Sequence, residues 1–118
     1  MCDLVFVYGT LMNGKRNHHL LETSTFIDNG SIEGFFMFDL GTYPGIAKSK
    51  YNSKVIGEVY KVDKSTMNKL DELEEVGYLY NKEEVEVILN NGETVNAFVY
   101  IYILKEYKEV SVSKVYKY

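Results

Sequence analysis

Four acidic residues crowd one short stretch, Lys69-Leu70-Asp71-Glu72-Leu73-Glu74-Glu75. Placed on a helix at about 100° per residue, Met67, Leu70 and Leu73 form one apolar arc. Glu74 follows Leu70 by four positions and Met67 by seven, so it falls inside that arc. Glu72 and Glu75 fall outside it and Asp71 lies at its margin; these three read as solvated surface. A carboxylate on an apolar face is costly when ionised and unpaired. Desolvation raises its pKa, and a glutamate tuned toward neutrality can take and return protons at pH 7. The competing reading is a helix-end glutamate that bends to water or pairs with Lys82 or Lys69, as long side chains commonly do.

The second segment that could do chemistry is Val5-Phe-Val-Tyr-Gly9-Thr-Leu-Met-Asn-Gly14-Lys15-Arg16. Its glycines and lysine are one residue short of a phosphate loop. Arg16 stands where such a loop needs Ser or Thr to hold magnesium. The rest of the chain reads as antiparallel hairpins, not the parallel sheet that a nucleotide hydrolase requires. A buried strand ending in Gly9-Thr10 still lets a ligand approach the backbone closely. Successive N–H groups in such a turn can form an anion-binding concavity. A carboxylate suits it as well as a phosphate does; an ordinary tight turn is the alternative.

Other reactive groups fit poorly. His18 and His19 are adjacent, so they cannot share one helix face as metal ligands, and no cysteine or acidic partner has suitable spacing. Cys2 is the single cysteine and lies at a terminus, where a nucleophile is poorly held. It can form neither an internal disulfide nor a cysteine zinc site. No Gly-x-Ser-x-Gly elbow occurs. No metal or cofactor is therefore expected.

The elements that must position these residues follow from pattern. Leu4–Tyr8 reads as a fully buried strand, because it does not alternate. Residues 15–22 can hold a short helix with Leu20 and Leu21 inward. Thr25–Ile27 and Ile32–Leu40 read as strands separated by an Asn29-Gly30 turn. Gly41-Thr-Tyr-Pro44-Gly45 reads as a loop around the only proline. Val55–Val62 is a strand. Asp63 or Ser65 can cap a helix running to about Val76. Glu83–Leu89 and Thr94–Ile103 flank Asn90-Asn91-Gly92 as a hairpin. Residues 105–118 read either as a last strand or as a tail, with Lys105-Glu-Tyr-Lys-Glu109 as solvated surface or an edge guard. Mostly strand with two helices gives an α+β class.

With 118 residues, one domain spanning 1–118 is expected, and 46% hydrophobic residues can fill its core. Thirteen basic against seventeen acidic residues give a net charge of -4, which argues against a nucleic-acid partner. No apolar run approaches the roughly 18 residues of a membrane span. Asp3 interrupts any basic-then-apolar leader pattern. These features point to a cytoplasmic protein without a membrane partner.

Taken together, the motifs resemble those of the gamma-glutamylcyclotransferase-like family, with its gamma-glutamylamine cyclotransferase branch as the nearest likeness. Tyr8-Gly9-Thr10-Leu11 ends the first strand and is followed by Gly14 and Asn17-His18. Gly41-x-Tyr43-Pro44-Gly45 resembles the family's central loop. Leu70-Asp71-x-x-Glu74 resembles its catalytic segment, with Tyr80 following and Glu83-x-Val85-x-Val87 opening the next strand. Ala97-Phe98-Val99-Tyr100 resembles the strand near its end. The likeness spans about Leu4 to Tyr102. Two departures stand out: Glu75 where the family often has glycine, and Lys82 where it often has arginine, which keeps the charge but loses the planar fork.

The resemblance implies a compact, mostly antiparallel β-barrel with flanking helices. It implies a gamma-glutamyl small molecule as substrate, whose own α-amine attacks its γ-carbonyl to release 5-oxoproline and an amine or amino acid. Glu74 would be the general acid and base. The loop at Gly9, Thr10 and Leu11 would cradle the substrate's α-carboxylate, with Tyr8, Tyr43, Tyr80 and Tyr100 lining the pocket. A non-catalytic module holding a carboxylate or gamma-glutamyl ligand in the same pocket is the alternative.

Overall fold

The structure, a computed structural model, describes residues 2–15, 17–39 and 44–103. Its strands are β1 (Cys2–Val7), β2 (Thr25–Glu33), β3 (Phe35–Asp39), β4 (Pro44–Lys48), β5 (Lys54–Asp63), β6 (Tyr80–Leu89) and β7 (Thr94–Tyr102). One α-helix, α1 (Lys64–Leu73), lies between β5 and β6, and two 3₁₀ turns, Gly9–Leu11 and His18–Leu21, follow β1. Five strands close a barrel in the order β1-β5-β2-β6-β7, and β3 and β4 pair separately as a two-stranded sheet. β1 and β7 join in parallel at Val5 and Phe98; the other pairings are antiparallel. The fold is thus α+β, as the element pattern gives, and is the mostly antiparallel barrel that the family resemblance implies.

β1 runs apolar because both its faces are covered. Phe6 enters the barrel interior with Ile32, Val55, Val59, Val87 and Val99. Val5 and Val7 enter an outer apolar layer with Leu11, Leu21, Met67 and Leu70. Alternate strand residues face opposite ways, so covering both faces erases the period-2 signature. The outer layer is where α1 and the 3₁₀ turns pack. Each large side chain buried there contributes about 1.5–3 kcal/mol, which anchors α1 through Met67 and Leu70.

Several local expectations need correction. Asn29-Gly30 is not a turn: β2 runs through it to Glu33. A Cβ on Gly30 would lie 2.8 Å from the Ile88 carbonyl oxygen, so the glycine serves the close approach of β6. The chain turns instead at Gly34, with φ 82°. Pro44 and Gly45 open β4, pairing with Asp39 and Phe38, where a loop was expected; proline is tolerated at a strand's first residue. Where a helix was expected over 15–22, His18–Leu21 forms a 3₁₀ turn and not an α-helix; Leu21 is buried and Leu20 half-buried. Asn90-Asn91-Gly92 does close the β6–β7 hairpin, with Ile88 opposite Thr94. Residues 105–118, including the charge run, lie outside the described residues. Among the described residues no helix is long and apolar enough to cross a membrane.

Candidate active site

Asp63 starts α1 by accepting the Thr66 N–H at 2.7 Å, a side-chain cap. The helix ends at Leu73, three residues before the expected Val76. Glu74 is its C-cap and keeps helical backbone angles, φ -84° and ψ -1°. That is why the helical-arc argument reaches it. Glu75 then turns left-handed at φ 48°. Its N–H bonds the Glu72 carbonyl at 3.1 Å, and the Val76 N–H bonds the Asp71 carbonyl at 3.1 Å. This is the paired closure of a Schellman motif. It also explains why glycine would suit position 75.

The Glu74 carboxyl is raised from 4.5 to about 7, and burial is the cause. Lys82 does not pair with it. The Lys82 ammonium lies 2.8 Å from Asp71 Oδ2 and 5.4 Å from the Phe98 ring centre. Asp71 is therefore more than surface: its Oδ1 also accepts the Tyr100 hydroxyl at 2.8 Å. Glu72 and Glu75 are exposed, as expected.

Tyr8, Tyr80 and Tyr100 are buried around this end of α1. The Tyr8 hydroxyl donates to the Tyr100 carbonyl at 2.6 Å. Burial raises the Tyr8 pKa well above its ordinary value, and the charges of Tyr80 and Glu74 add to the rise. Tyr100 is raised by burial first, then by its bond to Asp71 and by the charges of Asp71 and Glu74. Both hydroxyls stay protonated near neutral pH, and both feel the Glu74 charge. Tyr80 packs edge-on against Tyr102, ring centres 5.6 Å apart. Of the expected tyrosines, Tyr8 and Tyr100 thus feel the Glu74 charge and Tyr80 lies near Tyr8; Tyr43 lies outside the described residues.

Gly9 leaves β1 at φ 68°, a left-handed angle that favours glycine. Gly9, Thr10 and Leu11 form a single 3₁₀ turn, closed by the Met12 N–H on the Gly9 carbonyl at 3.1 Å. The first N–H groups of such a turn have no partner within it. The His18 Nδ1 lies 3.0 Å from the Leu11 carbonyl oxygen. Among the described residues no group of three or more His, Cys, Asp or Glu side chains is placed to hold a metal ion.

Two residues escaped the sequence reading. Asp71 did so because its partners lie 11 and 29 positions away. Glu58 was signalled by a lone carboxylate inside the apolar run Val55–Val62, and it is 8% exposed. Its Oε1 accepts the Asn13 N–H at 2.9 Å and the Tyr60 hydroxyl at 3.1 Å.

Comparison with known proteins bears on this arrangement. A gamma-glutamylcyclotransferase family protein of Escherichia coli K12 is 31% identical over 98 residues, covering 83% of this chain and 80% of that protein. The crystal structure of an AIG2-like protein of Mus musculus superposes with a TM-score of 0.84 at 27% identity, covering 98% of this chain and 86% of that one. A gamma-glutamyl cyclotransferase structure gives a TM-score of 0.72 at 26% identity, covering 87% of this chain and 68% of that one. The family model "Gamma-glutamyl cyclotransferase, AIG2-like" matches residues 5–117. Matched over nearly its whole length, the chain belongs to that family.

Proposed function

We propose that this protein is a gamma-glutamylamine cyclotransferase with Glu74 as its proton shuttle. The observation that carries the reading is a carboxyl held near pKa 7 by burial, close enough to the buried Tyr8 and Tyr100 for both hydroxyls to feel its charge. The substrate's α-amine attacks its own γ-carbonyl carbon. The new C–N bond closes a five-membered lactam, the old amide C–N bond breaks, and 5-oxoproline leaves with a free amine. Glu74 takes a proton from the α-ammonium and returns one to the departing nitrogen. A carboxyl balanced near neutrality can perform both transfers.

The remaining task is to fold the substrate. Good intramolecular positioning can supply about 7–11 kcal/mol of such a barrier. The N–H groups of Gly9, Thr10 and Leu11 would receive the α-carboxylate. The protonated hydroxyls of Tyr8 and Tyr100 are tied to a carbonyl and to Asp71, so they shape the wall and do not compete as bases. Preference for an amine leaving group rests on the likeness of the Tyr8–Leu11 and Leu70–Glu74 segments.

The test is a panel of gamma-glutamyl-ε-lysine, gamma-glutamyl dipeptides, gamma-glutamyl alkylamides and glutathione, read by mass spectrometry for 5-oxoproline. Glu74→Gln is the control. Product from an amine-releasing substrate, absent in the control, is expected. Folded protein that is protected by a gamma-glutamyl ligand but never turns it over would favour a binding module. Full activity of Glu74→Gln would remove the mechanism.

A further inference from the structure

Glu58 is a buried carboxylate that the proposed chemistry does not use. It sits on β5 directly opposite Val7, the last residue of β1. From there its Oε1 reaches forward to the N–H of Asn13, at 2.9 Å. The segment between, Tyr8 to Met12, contains the turn assigned to the substrate carboxylate. One end of that segment is held by β1. The other is held by Glu58.

The attachment is reinforced from the same side. Tyr60, two residues along β5, donates its hydroxyl to the same oxygen. Burial and the Glu58 charge push that hydroxyl up to about 12, so it remains a donor. His18 stacks obliquely on Tyr60, ring centres 5.6 Å apart, and approaches the Leu11 carbonyl through Nδ1. Leu11 packs the middle of the turn into the outer apolar layer, but at the exposed Asn13 end packing does not substitute for these bonds. A cavity of about 400 Å³ lies on this outer side, lined by Asn13, His18, Glu58 and Tyr60 among others. It shares no lining residue with the Glu74 cluster. Beside this cavity the exposed Asn13 end of the loop is held by hydrogen bonds and not by close-packed side chains.

We propose that Glu58 is a positioning residue that fixes the Gly9–Asn13 loop in the geometry needed to receive the substrate's carboxylate. This rests on reading that loop as the carboxylate cradle. Glu58 is itself an anion, so it acts through the loop backbone and not on the substrate carboxylate.

The test combines amide hydrogen exchange of the free protein with steady-state kinetics on a turned-over gamma-glutamyl amide. In Glu58→Ala the Asn13 N–H should exchange at least about tenfold faster while Val5, Val59 and Val99 stay protected. KM should rise by about ten- to a hundredfold with kcat within about threefold, the pattern of lost substrate binding. Acetate or formate, entering the space left beside the cavity, should bring KM back down. Glu58→Gln keeps an acceptor oxygen and should recover most of the wild-type KM. Glu58→Asp keeps the charge but retracts it by one methylene; it should behave like the alanine variant and replaces it if that variant does not fold. Unchanged Asn13 exchange in the alanine or aspartate variant overturns the proposal, as does faster exchange with an unchanged KM. A wild type without turnover removes the proposed reaction alone; Asn13 exchange then decides the role of Glu58.

Discussion

The Tyr100 hydroxyl donates to Asp71 Oδ1 at 2.8 Å and so ties β7 to the turn of α1 that carries Glu74. The same tyrosine accepts the Tyr8 hydroxyl on its carbonyl at 2.6 Å, so β7, α1 and the residue that follows β1 meet at one residue. Asp71 and Glu74 are three positions apart, one helical turn. Holding Asp71 therefore fixes the base of the turn on which Glu74 rides.

Tyr100→Phe removes only the hydroxyl and leaves Asp71 with Lys82. The lost bond to a charged acceptor should cost about 1.5–3 kcal/mol, seen as a lower midpoint in urea. If the bond also orients Glu74, kcat should fall by about ten- to a hundredfold, since small displacements of catalytic groups have such effects. Equal kcat in the two proteins would show that Asp71 holds the fold without aiming the glutamate.

Glu75 occupies the left-handed position that closes α1, at φ 48°. A side chain there strains the backbone, and glycine does not. Glu75→Gly should stabilise the protein by about 0.5–1 kcal/mol, a gain partly offset by glycine's freedom in the unfolded chain. Turnover should not change, because the Glu75 side chain is exposed. A lower thermal midpoint in this variant would mean that the Glu75 side chain makes stabilising contacts that outweigh the strain.

What the sequence revealed and what it hid divide by range. The Asn90-Asn91-Gly92 hairpin is legible because a tight turn is encoded by its own residues. Glu74 is legible because a helix converts spacing into direction. Asp71 is not, because Tyr100 and Lys82 reach it only once β7 and β6 are in place. Gly30 misled because glycine marks both a turn and a close approach, and only the neighbouring strand distinguishes them. Glu58 could be noticed as a charge in an apolar strand, but its partner Asn13 lies 45 residues away.

Gly57 tests the barrel closure beside Glu58. A Cβ there would collide with the Val7 carbonyl oxygen and come within 2.6 Å of Phe6 Cζ. Backbone and a core ring cannot both retreat. Gly57→Ala should destabilise by at least about 2 kcal/mol through overpacking. Gly92 is the control, since its Cβ would meet nothing within 4 Å although its φ is 93°. Gly92→Ala should therefore pay only the backbone strain, about 1–2 kcal/mol. Equal losses at the two positions would mean that strand β5 moves away from β1 without resistance.

The Glu74 carboxyl makes two linked predictions, one on rate and one on stability. Its pKa in the folded protein is about 7, raised from 4.5 by burial. As the base must be ionised, kcat should rise with pH through a midpoint near 7. The sign for stability is opposite. Below about pH 4.5 the group is neutral in both states and contributes no difference. Between 4.5 and 7 the unfolded chain ionises first, so folding loses stability as pH rises, and the loss is complete above 7. The full linkage is about 3 kcal/mol at 1.36 kcal/mol per pKa unit, and partial solvent contact reduces it to about 2 kcal/mol. Glu74→Gln escapes that loss. Urea unfolding should find it more stable than the wild type by about 2 kcal/mol at pH 8, with the advantage shrinking toward pH 4.5. A stability difference independent of pH would mean that the carboxyl is not held neutral by burial, and the shuttle would lose its physical basis.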